Sequence, residues 1–208
     1  MPIKAFIFDM DDVLCAYDVD RRIARLAALS NRSEAYVRDA LWESDYFTRA
    51  DRGEWTAAEC LTEFGSRLGY PLTRAEWIDA RRIAMRPFAE MLSLVGQLGA
   101  YGRVALLTNN DLLLAETLDA LFPALRPLFG THLYVSAELK LAKPDPEIFR
   151  VIAAHLGVAP QEALFTDDLE ENVAGAKQAG LHAIRFEHFD QFQSALGALD
   201  VPAHVLRG

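Results

Sequence analysis

An open α/β sheet of parallel strands, interrupted by one helical insertion, is the architecture that this 208-residue sequence predicts, and three patterns carry the prediction. A short apolar run, Ile3 to Phe8, ends abruptly in a cluster of aspartates. Residues 17–86 then show helical periodicity and no convincing strand. From Arg103 onward, apolar runs of strand length alternate with helical ones, the signature of parallel strands joined by right-handed crossovers with helices on both faces.

Composition supports a globular chain: 51% of residues are hydrophobic, 25% charged and 10% aromatic, which excludes disorder, collagen and coiled coil. A chain of this length buries roughly 70% of the surface its unfolded form exposes, so a metal would serve chemistry and is not needed to hold the fold. With 21 Lys and Arg against 30 Asp and Glu, the formal charge is −9. That field gives no basic footprint for nucleic acid, and an anionic ligand needs a local cation. Cys15 and Cys60 lack metal-ligand spacing and read as free buried thiols in a reducing compartment. No run approaches a membrane span, and a soluble, cytoplasmic protein is expected.

The individual elements follow from local chemistry. Ile3 to Phe8 is too short for a helix and reads as a buried strand. In the insertion, Ile23, Leu26 and Leu29 form one apolar stripe and Leu61, Phe64 and Leu68 another. Thr56 with Glu59 and Thr73 with Glu76 match the capping box that marks helix starts. Pro87 opens an amphipathic helix through Met91, Leu94, Val95 and Leu98, which Gly99 and Gly102 end. Strands are then expected at Val104–Leu107, His132–Val135, Ala163–Phe165 and Ala183–Phe186. The expected division is an α/β core of residues 1–16 and 87–208 with a helical domain of residues 17–86, returning through short connections near Tyr17 and Arg86.

Ligands of open parallel sheets bind beyond the carboxyl ends of the strands. There the sequence places Asp9, Asp11 and Asp12; Thr108, Asn109 and Asn110; Lys143; and Asp167 with Asp168. Each has an ordinary turn or capping role when taken alone. Five aspartates at one sheet edge would repel one another unless a cation sat among them, and oxygen-only ligands select a hard ion, best Mg²⁺. Lys143, held extended by Pro144 beside a helix that starts at Asp145-Pro146, offers an ammonium for an anion. Glu170 and Glu171 suit the first turn of a helix that ends near Gly180, a left-handed cap.

In this order, Phe8-Asp9-Met10-Asp11, Leu107-Thr108-Asn109, Lys143-Pro144 and Thr166-Asp167-Asp168 resemble the four motifs of the haloacid dehalogenase-like superfamily, over nearly the whole chain. The resemblance implies a Rossmann-like core with a small helical cap, and within the family the helical segment with Asp51-Arg52-Gly53-Glu54 looks closest to bacterial sugar-phosphate phosphatases and the phosphatase domain of soluble epoxide hydrolases. It implies a Mg²⁺-dependent hydrolase of a small phosphomonoester, such as a sugar phosphate. Asp9 would then be the nucleophile, forming an aspartyl phosphate, and Asp11 the general acid and base. Thr108, Asn109 and Lys143 would hold the phosphoryl group, and Asp9, the Asp11 carbonyl and Asp168 would hold Mg²⁺, with Asp167 behind them or as an alternative ligand.

Asp12 departs from the usual glycine, although aspartate tolerates unusual backbone angles better than most residues. Trp42, Tyr46, Arg49 and Arg52 are candidate cap contacts that read first as packing or surface residues. The remaining alternatives are a phosphomutase, a dehalogenase, which Asp11 argues against, and a phosphate-binding member without turnover. No role is assigned to His132, His155, His182, His188 or His204, and no oligomeric state follows.

Overall fold

The alternation of Phe6 and Phe8 with Ala5 and Ile7 decides how the central strand is buried. In the computed structural model, which describes residues 2–199, 201, 202 and 205, strand β1 (Ala5–Phe8) sends the two phenylalanines into one apolar core and Ala5 with Ile7 into a second. A strand buried on both faces must be covered by helices on both sides. It pairs in parallel with β4 (Arg103–Thr108) and with β6 (Ala163–Asp167). Strands β5 (Leu133–Val135) and β7 (His182–Arg185) complete a five-stranded parallel sheet of order β5-β4-β1-β6-β7. All five expected strands are present, shifted by one or two residues at their ends.

One face of the sheet is covered by α6 (Ala89–Tyr101), α7 (Leu112–Leu121), α8 (Leu125–Phe129) and α12 (Phe189–Ala198). The other carries α10 (Pro146–His155) and α11 (Glu170–Gln178), where Ile148, Phe149, Ile152 and Ala176 pack on Ala5, Ile7, Ala105 and Phe165. A short α9 (Ser136–Leu139) follows β5. No helix among the described residues is long and apolar enough to cross a membrane.

Between β1 and α6 the chain forms α1 (Val19–Ser30), α2 (Glu34–Val37) with a π-helical turn Arg38–Trp42, α3 (Tyr46–Ala50), α4 (Ala57–Leu68) and α5 (Arg74–Arg82). Both capping boxes close as expected, Thr56 with Glu59 and Thr73 with Glu76. Helices α4 and α5 pack against α7, so the insertion rests on the sheet domain.

Three expectations are corrected. The stretch 17–86 is not free of strand, because β2 (Cys15–Tyr17) pairs antiparallel with β3 (Met85–Pro87), bringing the two ends of the insertion together. Three residues per strand are too few to display an alternating pattern. Pro87 therefore ends β3, and the helix begins at Ala89. Gly99 lies inside α6, where its missing side chain leaves ordinary contact room beside Val104, and only Gly102 ends the helix.

Gly175 of α11 sets a close approach: a Cβ there would lie 2.0 Å from the carbonyl oxygen of Pro144. The loop that carries Lys143 thus lies directly on α11. Gly175→Ala is expected to destabilise the protein by about 1–3 kcal/mol through overpacking, read by denaturant titration; unchanged stability would contradict this packing.

Candidate active site

Where β1, β4 and β6 end side by side, the chain turns outward at three adjacent points, and the polar residues named from the sequence meet there. Asp9, Asp11, Asp12, Thr108, Asn109, Lys143 and Asp168 line one cavity of about 310 Å³, together with Leu169, Glu171 and Asn172 at the start of α11. Asp167 lies immediately beneath, fully buried.

Lys143 is the centre of this arrangement. It is 4% exposed, and its Nζ is 2.7 Å from Asp9 Oδ1 and 2.6 Å from Asp167 Oδ2. Asn109 fixes the lysine's backbone from both sides, accepting from its N–H at 2.9 Å through Oδ1 and donating to its carbonyl at 2.8 Å through Nδ2. Both ends of the Asn109 amide are therefore occupied. The Lys143–Pro144 peptide is cis. Asp145 and Pro146 start α10 as the sequence suggested, with the Asp145 carboxylate accepting from Glu147 N–H.

The carboxylates differ in how they are held. Asp167 accepts from Leu169 N–H and, through both oxygens, from Asn172 Nδ2, in addition to Lys143. Among the described residues, no other residue hydrogen-bonds the partly exposed Asp168 carboxylate, whose backbone carbonyl accepts from Arg185. One oxygen each of Asp9, Asp167 and Asp168 lie within 4.8 Å of one another, an all-oxygen donor set that fits a hard divalent cation. Burial pushes the Asp9 carboxyl up to about 7, with Lys143 pulling down and Asp167 and Asp11 pushing further up. Burial, followed by Asp167, raises Asp168 to about 6. Burial works against the Lys143 ammonium, but Asp9 and Asp167 outweigh it and raise its pKa.

Asp12 adopts φ +55°, in the left-handed region where glycine is usual. Its Oδ1 accepts from Tyr17 N–H at 3.0 Å and its own N–H donates to the Cys15 carbonyl at 2.7 Å, so a local side-chain bond holds the turn. Thr108 Oγ1, buried at the strand tip, accepts from Asn110 Nδ2 at 2.8 Å.

Three residues to which the sequence reading assigns no site role belong to this region. Arg81 of α5 reaches across from the insertion to Asp11, and Asn172 orients Asp167. Asp51, after α3, is close enough to feel Asp111, Arg81, Lys143 and Asp11. Nothing in the helical spacing marks Arg81, one of two adjacent arginines, as inward-facing. Tyr46 is buried, with its hydroxyl donating to Cys60 O at 3.1 Å. Trp42 packs on Phe47, and Arg49 pairs with Glu54 and Asp45. Cys15 and Cys60 are free and buried. His132, His155, His182 and His188 do not line the cavity, and His204 lies outside the described residues.

Burial, reinforced by Asp111, raises the Asp51 carboxyl from 3.8 to about 7. The folded chain therefore keeps this proton across a range in which the unfolded chain releases it, and stability falls as pH rises from about 4 to about 7. Denaturant titrations with chelator present should show Asp51→Asn as stable as wild type at the acid end and more stable above pH 7; parallel curves would contradict the assignment.

Similarity to known proteins agrees with this geometry. Residues 3–180 match the haloacid dehalogenase-like hydrolase family. A phosphatase of Mycobacterium tuberculosis is 28% identical over 96% of this chain and 97% of its own length. The D-ribitol-5-phosphate phosphatase of Bacteroides thetaiotaomicron is 27% identical over 94% of each chain. This chain spans only 16% of the length of a further relative, mouse acyl-CoA dehydrogenase family member 10, at 28% identity over 83% of this chain. Among solved structures, a Bacteroides thetaiotaomicron enzyme of the same family, in complex with magnesium and inorganic phosphate, superposes with a TM-score of 0.76 at 25% identity, covering 91% of this chain and 98% of that one. With the family match spanning most of its length and its strand ends converging on one acidic cavity, the chain belongs to the haloacid dehalogenase-like hydrolases.

Proposed function

We propose that the protein is a Mg²⁺-dependent phosphatase that hydrolyses a small phosphomonoester, such as a sugar or polyol phosphate, through an aspartyl phosphate on Asp9. The observation that carries this reading is the buried Lys143 ammonium bridging Asp9 and Asp167 on a cavity that Asp11 and Thr108 also line. A carboxylate poised beside a fixed cation attacks an anionic phosphorus that it would otherwise repel. The full-length phosphatase relatives support the reaction class, and the cavity suits a phosphoryl group with a small substituent.

In this reading an Asp9 oxygen bonds to phosphorus while the bond to the leaving oxygen breaks, and Asp11 gives that oxygen its proton. Asp11 then takes a proton from the water that cleaves the aspartyl phosphate. Lys143 and the Thr108 hydroxyl hold the phosphoryl oxygens, and Asn109 serves by clasping the Lys143 backbone and presenting its own backbone N–H. Asp9, the Asp11 carbonyl and Asp168 would hold Mg²⁺; both oxygens of Asp167 are already engaged, which suits it to orienting Lys143. When bound, the ion supplies positive charge to the phosphoryl oxygens. Residues 17–86 act as the cap, which covers the site and selects small substrates. Asp11 favours this reading over a dehalogenase.

Purified protein should release phosphate from members of a panel of small phosphomonoesters with Mg²⁺, lose that activity in chelator, and lose at least about 10³-fold on Asp9→Asn. Metal-dependent turnover that survives Asp9→Asn would overturn the nucleophile assignment, and conversion of a sugar 1-phosphate to the 6-phosphate without free phosphate would indicate a mutase.

A further inference from the structure

We propose that Arg81 is the positioning residue through which the helical insertion sets the Asp11 carboxyl for proton transfer to the leaving oxygen. The inference rests on the phosphatase reading and adds to it a residue contributed by the insertion.

Arg81 sits in the last turn of α5 and is 2% exposed. Its Nη2 donates to Asp11 Oδ2 at 2.5 Å, and its guanidinium lies 3.9 Å from the centroid of the Tyr17 ring. The second oxygen of Asp11, 3.8 Å from Cys15 Sγ, is left as the one to carry the transferred proton. Arg81 Nε has no hydrogen-bond partner within the described chain. A buried guanidinium with an unsatisfied N–H is costly, and an apolar residue packed on Tyr17 would avoid that cost. The charge is retained where it meets one carboxyl group of the cavity.

The connection is also mechanical. Tyr17 ends β2 and pairs with Met85 of β3, only four residues beyond Arg81. Tyr17, Arg81 and Asp11 thus form one contact chain at the place where the insertion joins the sheet. A displacement of α5 moves the guanidinium and, with it, the orientation of Asp11. Lys143 is already engaged by Asp9 and Asp167, which leaves Arg81 as the cation that meets the acid. Arginine does not give up a proton at working pH, so its part is to orient.

The chemistry supplies a readout that a purely structural role would not move. As the Asp9–phosphorus bond forms and the bond to the leaving oxygen breaks, an alkoxide needs the Asp11 proton, whereas 4-nitrophenolate departs without it. The ratio kcat/KM covers only the steps through that departure. It should be measured with Mg²⁺ for 4-nitrophenyl phosphate and for the best alkyl phosphate of the panel, in wild type, Arg81→Met and Arg81→Lys. Arg81→Met should lose about 100-fold on the alkyl ester and under about 10-fold on the aryl ester, with Arg81→Lys between it and wild type on the alkyl ester. Circular dichroism checks folding, and if Arg81→Met does not fold, the same inequality read in Arg81→Lys decides. Equal losses on both esters, or none on the alkyl ester, overturn the proposal. Wild-type protein inactive on both esters would instead remove the phosphatase reading, and the role of Arg81 with it.

Discussion

Three charged groups at one strand edge, Asp9, Lys143 and Asp167, are nearly or wholly withdrawn from water, and much of the surrounding structure follows from keeping them together. Burying a charge costs several kcal/mol unless partners replace its hydration. The lysine meets this requirement with two carboxylates, and its backbone is fixed by the amide of Asn109 from the neighbouring strand end. Asn172 completes Asp167 from α11, and Gly175 on the same helix allows the loop behind Lys143 to lie against it. Strand order puts the ends of β4 and β6 on either side of β1, so these groups converge without any long-range adjustment of the chain.

The helical insertion meets this edge through close, mostly backbone contacts. Ser136 Oγ donates to the Asp51 carbonyl at 2.8 Å, and Gly53, at φ +67°, comes so near Ala137 that a Cβ would be 2.3 Å from its carbonyl oxygen. Tyr46 reaches the Asp111 carboxylate that caps α7. With the β2–β3 ribbon at its base, the insertion is seated on the sheet at several points, and Asp51 and Arg81 bring a carboxyl group and a guanidinium toward the cavity.

What was legible in the sequence was what depends on short-range pattern. Apolar runs of four to six residues ending in or followed by Asp or Thr located the strands and the polar ends that line the cavity, and the Thr-x-x-Glu boxes located two helices. Asp12 is readable as a substitute for glycine because aspartate tolerates unusual backbone angles, and in the structure it takes φ +55° with its side chain accepting from Tyr17 N–H. The β2–β3 ribbon was not legible, since its three-residue strands pair over a separation of about seventy residues and have no pattern of their own. Arg81 carries no signal, and Asp51 only that of its segment, for a related reason: an arginine beside another arginine and an aspartate in a polar turn look solvated until α5 and α3 are placed against the sheet. The Asn109 amide looked available for substrate because its partner is the backbone of a residue 34 positions away.

The proposed mechanism requires that Asp9 become covalently phosphorylated. The direct test is to expose Asp11→Asn, which under the proposed mechanism keeps the nucleophile but lacks the base for hydrolysis of the intermediate, to 4-nitrophenyl phosphate and Mg²⁺, quench in acid, and map the phosphate by mass spectrometry after digestion. A stoichiometric burst of 4-nitrophenolate with phosphate on Asp9 is the predicted result. Release of 4-nitrophenolate with no phosphorylated peptide, or with the phosphate on another residue, would contradict it.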